Sequence, residues 1–168
     1  MRSNNTKVIL ITAAISIVST SLVWVGVGSL WYNLNISRPP AFAVTVTHPE
    51  PIEVGETFKL SIEVANPTTD AISLGSIDVY RSILDGFEVL DVKPKPTTRG
   101  TDQDYTSFYF RESIEPSESF TFEVTLRANA PGIWGGDIDC CTPFENFVTR
   151  FTELSVIEPA SPTPPSAE

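Results

Sequence analysis

The sequence predicts an all-β antiparallel sandwich of seven to nine strands behind one amino-terminal transmembrane helix. Three observations carry this. Val8–Leu30 is a run of 23 residues without a charge. Phe58–Val64 and Phe120–Leu126 alternate apolar and polar residues without a break, the period of a half-buried strand. After residue 41 no useful stretch carries the 3.6-residue period of an amphipathic helix, while turn residues recur every ten or so positions.

The apolar run comes first. It is apolar on every face, and its serines and threonines can bond back to carbonyls one turn earlier, so they cost little in lipid. A helix from Val8 to Trp31 rises about 36 Å, enough for a hydrocarbon core of about 30 Å. Trp31 and Tyr32 then sit where an interfacial aromatic belt belongs. Arg2 and Lys7 precede the run and only Arg38 follows closely, so the positive-inside rule leaves residues 1–7 as a cytoplasmic stub. Residues 8–32 are the membrane helix, and the rest is exported. Ala41-Phe42-Ala43 has the small-x-small pattern of a signal-peptidase site, but a signal's apolar region spans about 7–15 residues. Length therefore favours a retained single-pass anchor in the cell membrane.

Residues 33–41 are a juxtamembrane linker stiffened by Pro39-Pro40. Phe42, Val44 and Val46 open the first strand, closed by His48-Pro49-Glu50-Pro51. Thr57–Ala65 is the clearest strand, with Phe58, Leu60, Ile62 and Val64 on one face, stopped by Asn66-Pro67. Ile72–Tyr80 follows. In Phe87–Val92 the apolar residues Val89, Leu90 and Val92 fail to alternate, which predicts a bulge or a doubly covered strand. Lys93–Asp104 reads as a polar loop. Strands resume at Tyr105–Arg111, Phe120–Leu126, Trp134–Cys140 and Phe147–Ile157, so one domain fills residues 42–157. Residues 158–168 (EPASPTPPSAE) form a disordered Pro-rich tail.

Charge excludes one class of partner. All 21 acidic residues follow residue 41, with 8 of the 11 basic ones, a net of −13 for the exported part. Such a domain repels nucleic acid and anionic lipid head groups. Its expected partners are the bilayer, through residues 8–32, and a protein at or outside the membrane.

The order of these signals resembles a family. Ile52–Asn66 (IEVGETFKLSIEVAN) is similar to the opening of the bacterial and archaeal Ig-like surface modules of the CARDB and DUF11 type, where a Gly-containing turn leads into an alternating strand ending in Asn. LDGFEVL at 84–90 and IEPSESFTFEV at 114–124 resemble two further segments of those modules, with Ser117 where Gly is usual. APGIWGGDI at 130–138 is similar to their penultimate strand. The resemblance covers about residues 43–157. It implies an extracytoplasmic Ig-like sandwich used for adhesion or as a spacer, and it implies no activity. These modules usually stand in tandem, whereas one stands here, and the Cys pair lies outside the pattern.

Candidate sites are few. His48 is the only histidine, in a Pro-flanked turn, and no nucleophile motif surrounds any serine, threonine or cysteine, so no enzyme activity and no cofactor are expected. Asp102 with Asp104 in a loop, and Asp137 with Asp139 on one strand face, offer hard oxygen ligands for a cation, but too few for a loop that binds alone. Trp134 beside Gly135-Gly136 is either an aromatic partner anchor or a ring packed under a loop. Cys140-Cys141 are neighbours that bridge each other only through a strained ring, leaving a buried thiol and a surface thiol, or a redox pair. The leading function is a membrane-anchored protein-binding, adhesion or scaffold module. The alternative is a metal- or redox-linked accessory protein built on Cys140, Cys141 and the carboxylates.

Overall fold

A computed structural model describes residues 3–35, 41–143 and 146–159, with side chains in the first stretch from residue 16 to 32. The expected linker and tail therefore lie largely outside the described residues, whereas residues 3–7 of the expected stub belong to the first helix. The chain divides into two compact units, residues 1–38 and 39–168.

The first unit is one helix, α1 (Ser3–Asn35). Hydroxyls bond back along it as lipid-compatible residues do: Thr20 Oγ1 donates to the Ser16 carbonyl at 2.8 Å, and Ser21 Oγ to that of Ile17 at 2.9 Å. Leu22, Trp24, Val25 and Leu30 are all exposed on it. Among the described residues, whose side chains on this helix span only 16–32, no helix is long and apolar enough to cross a membrane.

The described residues of the second unit form a two-sheet β-sandwich of ten strands with one short helix. In chain order they are β1 (Ala43–Thr47), β2 (Ile52–Glu53), β3 (Thr57–Ala65), β4 (Ile72–Tyr80), α2 (Arg81–Leu84), β5 (Phe87–Lys93), β6 (Thr98–Thr101), β7 (Tyr105–Ile114), β8 (Ser119–Ala128), β9 (Gly132–Cys141) and β10 (Phe147–Ile157). One sheet has the order β1-β3-β8-β5 and the other β2-β10-β9-β4-β7-β6. This is the arrangement of an immunoglobulin-type sandwich, in which the first strand is shared between both sheets. Here β1 pairs antiparallel with β3, and after the Pro49–Pro51 turn β2 pairs parallel with β10.

The two alternating runs of the sequence are neighbours. Ile62 lies opposite Phe122 and Leu60 opposite Val124, all four fully buried. Phe122 meets Phe108 and Phe110 of the facing sheet at 4.9 and 5.2 Å between ring centres. Such aromatic pairs contribute about 0.5–1.5 kcal/mol beyond their buried area. The bulge expected in the fifth strand is present, between Val89 and Asp91, and it turns Leu90 outward.

Three short elements depart from the sequence reading. The 93–104 stretch is not wholly loop: β6 pairs with β7, and Thr-Arg-Gly-Thr shows no apolar alternation because an edge strand needs none. A two-residue β2 and the single turn of α2 likewise have too few residues to set a period. Among the described residues the count thereby reaches ten strands rather than seven to nine.

Candidate functional site

The outer face of the six-stranded sheet gathers most of the residues of chemical interest. Along β4, Ile77 and Val79 turn inward while Ser76, Asp78 and Tyr80 turn outward. Along β9, Ile138 and Cys140 turn inward while Asp137, Asp139 and Cys141 turn outward. Register then sets Asp78 opposite Asp139 and Ser76 opposite Cys141. On the other side β10 sets Thr149 opposite Asp139, Phe147 opposite Cys141 and Phe151 opposite Asp137. Three carboxylates thus share one face, two of them directly opposed, an arrangement that destabilises a sheet unless something compensates it.

The compensation is partial. Thr149 Oγ1 donates to Asp139 at 2.6 Å, and the Cys141 thiol lies 3.5 Å from Asp78 Oδ2. Burial raises the Asp139 carboxyl above its ordinary value. The Thr149 hydrogen bond pulls it back, and the Asp137 and Asp78 charges raise it again. Asp78 Oδ1 is buried without a hydrogen-bond partner. Among the described residues the ion pairs are His48–Glu50, Lys59–Glu123, Lys93–Asp91 and Arg127–Glu88, so none reaches this face.

A cleft of about 890 Å³ adjoins the carboxylates, lined by Ser76, Tyr109, Asp139, Cys141 and Phe147 among others. It opens where β4 shifts register between Leu74 and Ser76. Gly75 sits in that shift, and a Cβ there would stand 2.9 Å from the Thr142-Pro143 backbone, so only glycine lets the turn approach.

The cysteines are both free thiols. Cys140 is in the core, pushed up to about 12 by burial and then by Cys141. Cys141 ends β9 half-buried rather than at the surface, pushed up to about 12 by burial and then by the Asp78 carboxylate. Neither is held as the thiolate that redox exchange or metal binding requires. Asp102 and Asp104 fall in the turn between β6 and β7. There Asp102 Oδ1 accepts the backbone N–H groups of Asp104 and Tyr105 at 2.9 and 2.7 Å, which lowers its pKa. Tyr105 links that turn to β9, since its N–H donates to Asp102 while its side chain hydrogen-bonds Asp139, yet among the described residues no group of three or more His, Cys, Asp or Glu is placed to hold a metal ion.

Trp134 packs inward. A Cβ on Gly86 would stand 2.2 Å from its ring, and its ring centre lies 6.3 Å from that of Phe87. Among the described residues of the sandwich the most exposed apolar groups are others: Ile133 at 69%, Phe151 at 68% and Phe147 at 54% exposure, all outward on β9 and β10. Sequence reasoning missed them and Asp78. Asp78 lies within the expected strand Ile72–Tyr80, but only the β4–β9 pairing brings it to Asp139.

The sequence matches no protein-family model and no curated protein. Solved structures similar to this chain include the CARDB domain of the Pyrococcus furiosus PF1109 protein, determined in complex with di-metal ions. The identity is 13% and the TM-score 0.48, over 71% of this chain and 96% of that one. A cohesin module of a Clostridium perfringens family 33 glycoside hydrolase is similar at 13% identity and TM-score 0.44, over 71% and 98%. A PapD-like domain of human CEP192 is similar at 15% and 0.41, over 75% and 93%. A CARDB domain, the type that the sequence motifs resemble, is therefore among the structural neighbours.

Proposed function

We propose that this chain is a single-pass membrane protein that presents one Ig-like sandwich outside the cytoplasm as a non-catalytic protein-binding module. The anchor reading is supported by the uncharged run Val8–Leu30 and by the unbroken helix that contains it. The side to which the sandwich is exported follows from Arg2 and Lys7 before the run.

The binding reading rests on one observation, the contrast between the two outer faces. The four-stranded sheet turns out threonines and charges that pair across it, Lys59 with Glu123 at 2.8 Å and Arg127 with Glu88, and beside them Leu90 at the β5 bulge. The six-stranded sheet turns out Ile133, Phe147 and Phe151, each more than half exposed, beside Asp78 and Asp139, which pair with no Lys or Arg among the described residues. A sheet face built only for solvation has the first composition; apolar groups left in water mark interaction surfaces. Carbonate extraction of native membranes, with amino-terminal sequencing and protease accessibility, tests the anchor and its orientation. Retention in the pellet with the original amino terminus supports it. A soluble chain beginning near Val44 overturns it.

A further inference from the structure

We propose that the outer face of β4, β9 and β10 docks an extended protein segment of the pattern apolar–x–cation–x–apolar. Asp78 and Asp139 receive a Lys or Arg side chain, and Phe147 and Phe151 receive the flanking apolar groups. The inference rests on the binding-module reading and adds the surface and the chemistry of the partner.

The spacing carries it. Phe147, Thr149 and Phe151 point to one side of β10, and their partners on β9 are Cys141, Asp139 and Asp137. Moving along the face, an aromatic ring, a carboxylate and a second aromatic ring follow at two-residue intervals, about 13 Å from the first ring to the last. A strand laid on this face presents alternate side chains at the same interval, so a cation two residues from each apolar group meets both features at once. The central position also lacks what a cation supplies. Asp78 Oδ1 is buried without a donor, the opposed Asp139 has only Thr149 and Tyr105, and no Lys or Arg pairs with either among the described residues. The adjoining cleft gives a long side chain depth between Ser76, Tyr109 and Cys141.

Charge selects the class of partner. The region after residue 41 carries a net −13, which attracts a cationic segment and opposes both a second copy and an anionic membrane. Ring faces beside the carboxylates add cation–π attraction for Lys or Arg.

The test uses the full chain in uncharged maltoside micelles, titrated by fluorescence anisotropy with a labelled nine-residue peptide centred on Leu-Ser-Arg-Ser-Leu. Two comparison peptides carry Glu for the Arg, or Ser for both Leu. The first peptide should bind, and each comparison peptide at least tenfold more weakly. Asp78→Asn with Asp139→Asn should weaken binding at least tenfold, as should Phe147→Ser with Phe151→Ser, which changes only exposed side chains. Glu63→Gln with Glu118→Gln removes the same charge elsewhere and should change binding less than twofold. Equal loss from both charge-removing pairs means attraction by net charge alone and overturns the site. So does the absence of binding, or self-association of the chain through Phe151 in its place. A photoreactive benzoylphenylalanine replacing Thr121 or Phe151 in native membranes separates the two readings. Cross-links from position 121 without peptide binding overturn this face and leave the binding module standing; cross-links from neither position overturn both.

Discussion

Asn66 holds Ile114 from across the sandwich: its Nδ2 donates to the Ile114 carbonyl at 2.8 Å, though 48 residues separate them. The same amide donates to the Asp70 carbonyl at 2.8 Å, while its Oδ1 accepts the Thr68 N–H and hydroxyl. Its backbone N–H donates to Glu118, and its carbonyl accepts from Ser117. A side chain 1% exposed thus closes two loops at one end of the domain. Asn66→Ala leaves buried carbonyls without donors and should cost about 3 kcal/mol in denaturant unfolding. Asn66→Asp turns an acceptor toward those carbonyls and should cost at least as much.

Ser117 occupies a left-handed backbone conformation, φ 64°. It follows Pro116 in a turn closed by the Glu118 N–H donating to the Glu115 carbonyl at 3.0 Å. Proline second and a positive φ third is the pattern of a type II turn, where glycine carries no Cβ penalty. Ser117→Gly relieves about 1–2 kcal/mol of strain against about 0.5–1 of added chain entropy. It should raise stability by about 0.5 kcal/mol, read as a small rise in the thermal midpoint. An unchanged or lower midpoint would contradict this.

Asp139 keeps its proton to a higher pH in the folded chain than in the unfolded one, through burial and the neighbouring Asp137 and Asp78 charges. The native state therefore binds more protons between the unfolded value near 3.8 and its raised value. Stability falls as pH rises through that window. Asp139→Asn, which can still accept from Thr149, should stabilise the domain at pH 7 by about 0.5–1 kcal/mol, the scale of a directly opposed like-charge pair. The gain should vanish near pH 3. A thermal-midpoint series in pH reads both ends.

Both thiols should resist alkylation. With Cys140 and Cys141 pushed up to about 12, maleimide labelling at pH 7.5 should run on the order of 10²–10³ below a free cysteine and become fast on unfolding. Between about pH 9 and 12 the unfolded chain loses these protons first, so stability falls as pH rises there. Cys140→Ser buries a hydroxyl in the core and should cost about 1–3 kcal/mol. Cys141→Ser keeps a donor toward Asp78 and should cost less than 1 kcal/mol.

Where one residue's environment follows from its own strand, the sequence was readable. Phe58 to Val64 and Phe120 to Leu126 had to turn one face inward, and the bulge at Leu90 showed in three apolar residues that would not alternate. Asn66 read as the end of a strand, which it is; its hydrogen bonds to Ile114 and Asp70 depend on loops far apart in the chain. The face with Asp78 was not readable for the same reason. Asp137 and Asp139 announce themselves at i and i+2, but nothing local says that β4 rather than β10 or β7 brings a third carboxylate to them. Trp134 could not be placed without knowing that Gly86, distant in sequence, leaves room for its ring.

The first strand's division between the sheets has a mechanical consequence. Arg150 Nε donates to the Val44 carbonyl at 3.0 Å, and His48 Nε2 lies 3.3 Å from Thr152 Oγ1, so β1 and β10 run the same way along one side of the sandwich. The chain therefore enters the domain at Ala43 near one end and leaves it at Ile157 near the other. Tension between those points pulls β1 lengthwise against β3, and β10 lengthwise against β9. The five residue pairs of β1 with β3 and the ten of β10 with β9 are then loaded together rather than peeled one after another. Tension between Ala43 and Ile157 is thus met in shear by the β1–β3 and β10–β9 pairings, which leaves the side chains of the two outer faces where they are.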